Sequence, residues 1–131
     1  MFLTKECDYA IRVVRGLANF EVQPVQEICE REYVPRPFAY KILKKLERAG
    51  IVRAHRGAAG GYQLAKNLDD VVLFEIVNAI DENLFINECL KNDHICPNNI
   101  NGKHCGIHDE ITRIQHILID ALSENKVSMI V

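Results

Sequence analysis

The stretch RPFAYKILKKLERAGIVRAHRGAAGGYQLAK, residues 36–66, carries the signals that decide the fold. Its first part has apolar residues at helical spacing. Over Arg36–Ala49 the pattern turns Phe38, Ile42, Leu43 and Leu46 inward and leaves Tyr40, Lys41, Lys44 and Lys45 largely outward. Pro35 or Pro37 opens such a helix without losing a hydrogen bond, and Gly50 stops it. Two short strands follow, Ile51–His55 and Gly61–Ala65, on either side of Arg56-Gly57-Ala58-Ala59-Gly60. Glycines beside an arginine also suit a nucleotide phosphate, but that cradle needs a strand before it and a helix after it, often with a lysine–hydroxyl pair. Here strands lie on both sides and the lysine–hydroxyl pair is absent, so no nucleotide cofactor is expected. The glycines form a hairpin tip directly after a basic helix.

Working outward, Asp8–Phe20 has Ile11, Val14, Leu17 and Ala18 spaced for one helix face. Thr4 suits the N-cap, and Glu6 and Asp8 suit the positive end of the dipole. After the break at Gln23-Pro24, Val25–Arg31 makes a short helix with Val25, Ile28 and Cys29 on one side, and Tyr33-Val34-Pro35 makes a turn. Two helices joined by a tight turn, the second of them basic, make a helix-turn-helix, and the hairpin behind it is a wing. The fold expected is mainly α with a small β-hairpin wing. The wing glycines let backbone approach a sugar-phosphate chain, and Arg56 is placed to enter a narrow minor groove.

Charge follows the same division. The net charge of −2 conceals a block, residues 36–66, with eight Lys/Arg against Glu47 alone, a local +7. Residues 67–125 carry eleven acids against Lys91, Lys103 and Arg113, a local −8. One segment is built to meet an anion and the rest is not. At 131 residues, 48% hydrophobic and 26% charged, the chain has room for one domain and a helical appendage. No apolar run is long enough to span a membrane, and the start MFLTKECDYAIRVV lacks the pattern of a signal peptide. A cytoplasmic location is expected, where five cysteines are thiols or metal ligands rather than disulfides.

Three stretches together resemble a known family: LTKECDYAIRVVRGLA (3–18), VPRPFAYKILKKLERAGIV (34–52) and RGAAGGYQLAK (56–66). They are similar to the IscR/NsrR-type regulators, bacterial winged-helix repressors and activators, many of which sense iron, nitric oxide or redox state through an iron–sulfur cluster. The resemblance runs from Met1 to about Glu124. It implies a DNA contact at Lys41 in the recognition helix and at Arg56, Gly57, Gly60, Gly61 and Tyr62 in the wing; Arg36, Phe38 and Tyr40 occupy helix positions where the family varies, and with Lys44 they are further candidate DNA-binding residues.

Beyond the wing, LDDVVLFEIVNAID (68–81) reads as a capped helix burying Leu73, Ile76, Val77 and Ile80. The polar loop CLKNDHICPNNINGKHCGIH (89–108) then holds Cys89, Cys96, Cys105 and His108. Thiolates are the donors that stabilise iron–sulfur clusters or zinc. Structural zinc is an alternative, but zinc knuckles use paired C-x2-C spacing, and here six and eight residues separate the cysteines. Reduced thiols without metal are a third reading. The family's loop carries three cysteines at comparable wide spacing, usually shorter between the second and third. An iron–sulfur cluster on Cys89, Cys96 and Cys105 is therefore expected. For the fourth ligand the resemblance leaves two candidates. His108 matches the IscR-like members, which hold a 2Fe–2S cluster. Asp8 matches the NsrR-like members, where an aspartate reaches a 4Fe–4S cluster across the dimer, and 4Fe–4S is preferred because a weak oxygen ligand suits a reactive site. Cys7 and Cys29 read as buried thiols, and His55, His94 and His104 as solvated.

The last helix, Ile107–Asn125, places Ile107, Ile111, Ile114, Leu118 and Ala121 at alternating steps of four and three, a heptad seam flanked by Ile117 and Leu122. Such a face suits pairing with a second copy, and a two-fold dimer suits paired half-sites. The chain thus divides into a winged helix-turn-helix (1–82), a cluster-binding loop (83–108), a dimerisation helix (107–125) and a tail (126–131). The function expected is a homodimeric, operator-binding repressor controlled by its cluster. A zinc or thiol regulator of the same fold and a non-regulatory iron–sulfur protein are the alternatives. No catalytic nucleophile with a positioned base is present, so no enzyme activity is expected.

Overall fold

The computed structural model describes residues 3–131, so Met1 and Phe2, where the resemblance begins, lie outside the described residues. Five α-helices and one hairpin follow in the order α1 (Lys5–Gly16), α2 (Val25–Glu32), α3 (Arg36–Arg48), β1 (Val52–His55), β2 (Gly61–Leu64), α4 (Leu73–Ile80) and α5 (Gly106–Glu124). Helices α1 to α4 pack around one core.

Thr4 starts α1: its hydroxyl oxygen accepts the Cys7 N–H at 3.3 Å. This moves the start ahead of the Asp8 read from periodicity, and the end comes earlier than Phe20. The Gly16 carbonyl takes the Arg31 guanidinium at 2.6 Å, the Phe20 N–H turns back to Leu17, and Phe20 adopts φ 61°. The buried face is also rotated. Cys7, Ala10, Val13, Val14 and Leu17 are fully buried, whereas Ile11 and Ala18 are half-buried at its edge. Being packed against three other helices, α1 buries a wider stripe than its most hydrophobic residues mark.

α2 buries Val25, Ile28 and Cys29, as its spacing predicts, and ends at Tyr33 in the left-handed conformation. α3 buries Ala39, Ile42, Leu43 and Leu46. Phe38, expected inward, is 39% exposed and packs edge-on against Tyr9 at 5.5 Å. It lies in the first turn of α3, where Tyr9 of α1 covers part of its ring. The α3 end is a Schellman motif: Ile51 N–H reaches the Leu46 carbonyl, Gly50 N–H reaches the Glu47 carbonyl, and Gly50 takes φ 72°. Ile51 and Leu46 are both buried beside it, which aims the chain straight into β1.

β1 and β2 pair antiparallel with Val52 opposite Leu64 and His55 opposite Gly61. Val52 and Leu64 face the core, so the hairpin is anchored at its base and projects at its tip. A second anchor is a bridge to the chain before α2, where Gln23 and Tyr62 exchange hydrogen bonds of 2.8 and 2.9 Å.

The helix expected over 68–81 divides into a single turn at Leu68–Asp70, capped by Asn67, and α4. Val71 and Leu68 are buried there, and Leu73 is only half-buried. Glu75 accepts the Val72 N–H at 3.0 Å and ends the extended link between the two pieces. Residues after α5 dock rather than trail: Val127 is fully buried and its N–H donates to the Val71 carbonyl at 2.8 Å.

Candidate nucleic-acid interface and sensor loop

Arg36, Tyr40, Lys41 and Lys44 are exposed along α3, beside Phe38. Their outward position follows from burial of Ala39, Ile42, Leu43 and Leu46 on the opposite side. Across a groove stands the wing, with Arg56 and Gly57 exposed and Gly60, Gly61 and Tyr62 half-buried. Arg36, Tyr40, Arg56 and Tyr62 line the groove. Burial pushes the Tyr62 phenol up, so it stays a neutral donor. Arg56 has no side-chain partner among the described residues.

The close approach that requires glycine is at Gly61, where a Cβ would collide with the Gln23 carbonyl. Gln63 braces the wing from its other face: its carbonyl oxygen accepts from Arg53 at 3.1 Å and lies 3.0 Å from His55 Nε2, while its amide donates to the Phe20 carbonyl. The wing is therefore held in a set position relative to α3. Gln23 and Gln63 have no sequence signature, because their roles come from backbone groups distant in the chain.

Glu6, in sequence a favourable charge at a helix start, has a further role in the structure. One of its oxygens accepts from Lys41 Nζ at 2.7 Å, and the other lies 3.3 Å from Lys45 Nζ. The Lys41 hydrogen bond, against the opposing effect of burial and with help from Lys45, holds the Glu6 carboxyl below its usual range.

The cysteine loop is fastened to α5 at its start and tied internally between its cysteines. Ile86 N–H donates to Gln115 Oε1 at 2.9 Å, and Gln115 is the buried residue of α5. Asn99 links the second and third cysteines, donating its N–H to the Cys96 carbonyl and accepting the Cys105 N–H at 3.3 Å. Cys89 sits in a single turn at Glu88–Leu90, and Cys105 immediately precedes α5. All three thiols are half-buried and free. They are not gathered: among the described residues no three His, Cys, Asp or Glu side chains lie together as a metal site. The donors therefore fit a cluster or zinc by their chemistry, while their placement within one chain does not assemble a ligand set.

The two fourth-ligand candidates differ. Asp8 is exposed and paired with Arg12 at 2.9 Å. His108 has a buried Nδ1 with no hydrogen-bond partner, an orphan of the kind that calls for an explanation. Cys7 and Cys29 are buried, and burial pushes the Cys29 thiol up. His55 and His94 are exposed, and His104 pairs with Asp109 at 2.8 Å.

On α5, Ile107, Ile114 and Ala121 of the expected seam are exposed, as is Ile117, while Ile111 and Leu118 are half-buried. No helix among the described residues is long and apolar enough to cross a membrane.

Residues 3–131 match the family model Rrf2, described as an iron-dependent transcriptional regulator. A putative HTH-type transcriptional regulator of Synechocystis is 40% identical over 87 residues, which span 64% of this chain and 59% of that protein's length. The fold is similar to that of T. potens IscR, with a TM-score of 0.74 at 19% identity, covering 95% of this chain and 82% of the other. It is also similar to the oxidized form of Staphylococcus aureus CymR, with a TM-score of 0.73 at 18% identity, covering 97% and 93% of the two chains.

Proposed function

The chain belongs to the Rrf2 family of winged-helix transcriptional regulators, and from that premise we propose that it is a homodimeric, operator-binding repressor whose sensor is the cysteine loop between α4 and α5. The observation that carries the reading is the exposed α3 face with Arg36, Tyr40, Lys41 and Lys44, standing beside a wing locked in place with Arg56 at its tip. Helix cations fit a major groove, and an arginine carried on glycine-rich backbone fits the adjacent minor groove. A dimer seated over a promoter would block access to it, which is the basis for reading the regulator as a repressor. Salt-dependent binding to duplex DNA tests this, because a carrier would show none.

Within that reading, Cys89, Cys96 and Cys105 would hold an iron–sulfur cluster. Such a group, when bound, supplies a centre that reacts with oxidants or nitric oxide. His108 carries the better support as fourth donor, since its Nδ1 lacks a partner whereas Asp8 is engaged by Arg12. The loop must close for the three thiols to meet, and Gln115 and Asn99 would restrain how it does so. A second reading, sensing by the thiols without metal, is favoured by their separate placement and by the likeness to a regulator solved in an oxidized form. Iron and sulfide content with an absorption spectrum of anaerobically prepared protein separates the two.

A further inference from the structure

Glu6 is set by the Thr4 cap into the first turn of α1, one-quarter exposed, facing α3 rather than the core. It holds two lysines of the recognition helix, and they are not equivalent. Lys45 is 29% exposed and has a second partner, the Ile80 carbonyl at the end of α4, at 2.8 Å. Lys41 is 58% exposed, and its hydrogen bond is to Glu6 alone among the described residues. Lys45 is thus held in place with or without Glu6, whereas Lys41 is a cation that Glu6 restrains.

A lysine paired with a carboxylate adds no net charge to the surface that DNA meets. Counterion release follows net charge, so each cation made available to phosphate steepens the salt dependence of binding by about 0.9. To read DNA, Lys41 must exchange Glu6 for a base edge in the groove. A half-exposed ion pair is weak, so the exchange is feasible. It is compensated only where a DNA acceptor lies at the correct place, and on unmatched sequence it is not. The pairing therefore subtracts more from binding to arbitrary DNA than from binding to the operator.

We propose that Glu6 is a specificity-determining residue, an internal carboxylate that withholds Lys41 from non-operator DNA and yields it to a correctly placed acceptor. The proposal rests on the reading that α3 faces DNA. The test compares wild type, Glu6→Gln, Lys41→Met and the double variant on a random-sequence duplex and on a duplex selected from a random pool by the wild-type protein, across a salt series. Lys41→Met is expected to weaken binding to the selected duplex. Glu6→Gln is expected to bind the random duplex about 3–10-fold more tightly with a slope steeper by about 0.9, and to gain less on the selected duplex. In the Lys41→Met background the gain is expected to vanish. Thermal unfolding of each variant across the same salt series shows whether it is fully folded, so a loosened α1 does not obscure the answer. If Lys41→Met weakens binding and Glu6→Gln leaves affinity and slope unchanged, or if the gain persists without Lys41, the proposal is overturned. If Lys41→Met has no effect, the docking reading falls and the proposal falls with it.

Discussion

Around Gly61 the wing and the chain before α2 approach so closely that a Cβ would strike the Gln23 carbonyl, the same carbonyl that accepts the Tyr62 N–H. Gly61→Ala must push the two strands apart and lose that exchange of hydrogen bonds. A stability loss of about 1–3 kcal/mol is expected from such overpacking, seen as a lower midpoint in thermal unfolding, together with weaker DNA binding because the wing loses its second anchor. Arg56 makes the opposite case. It is exposed and touches no core residue, so Arg56→Ala should leave the unfolding midpoint unchanged while weakening operator binding by roughly 1–3 kcal/mol, measured by fluorescence anisotropy. Unchanged affinity would remove the wing from the interface. At Glu6 the sign of a pH effect is set by its partners. Its carboxyl in the folded chain lies below the ordinary 4.5, chiefly through Lys41. The pairing therefore stabilises the fold at neutral pH and is lost as pH falls below 4.5 and through the folded value. The stability difference between wild type and Glu6→Gln should shrink across that acid range in denaturant titrations at successive pH values.

Among the elements, α5 and the residues after it depend most on what surrounds them. α5 leaves Ile107, Ile114 and Ile117 exposed while burying Gln115, and this apolar face is the one proposed to pair with a second copy. Ile114→Lys combined with Leu118→Lys should give soluble monomers with reduced operator affinity, and sedimentation of a folded dimer would reject the seam. Val127 should behave as a core residue: Val127→Ala is expected to cost roughly 2 kcal/mol on thermal unfolding, although it sits near the end of the chain. These elements also show where sequence is informative. α3 and the wing were legible because their signals are local: the glycine ending at Gly50, the glycines at the tip and the basic outer face. On α1 the expected Val14 and Leu17 are buried, while Ile11 and Ala18 pack only at the edge of the core, because three packed helices set how wide the buried stripe is. Val127 could not be read at all, since its burial comes from pairing with Val71 far earlier in the chain. Likewise the interface cations were visible, but Glu6 as their partner was not, because that pairing exists only once α1 lies across α3. The three loop cysteines are visible as a set, but nothing local in their loop brings them together.

At the scale of the whole molecule, the proposed function requires a basic recognition block, an acidic remainder and a thiol loop between α4 and α5 to act as one device. The loop is fastened to α5 through Gln115 and leads into it at Cys105, so under the proposed function a change in the state of the thiols would act first on the helix proposed to pair with a second copy. Since paired recognition helices must match half-sites about one turn apart, a small shift there suffices to alter binding. The expected outcome is that anaerobically prepared protein contains iron and sulfide, and that Cys89→Ser, Cys96→Ser and Cys105→Ser each lose them while remaining folded. His108→Ala should change the absorption spectrum and Asp8→Ala should not, the reverse assigning the fourth position to Asp8 across the dimer. Operator affinity should differ between protein with and without the metal. Protein free of iron whose DNA binding responds to thiol oxidation, and loses that response in the serine variants, would establish the metal-free reading. Equal binding in every state would leave a DNA-binding regulator without a sensor in this loop.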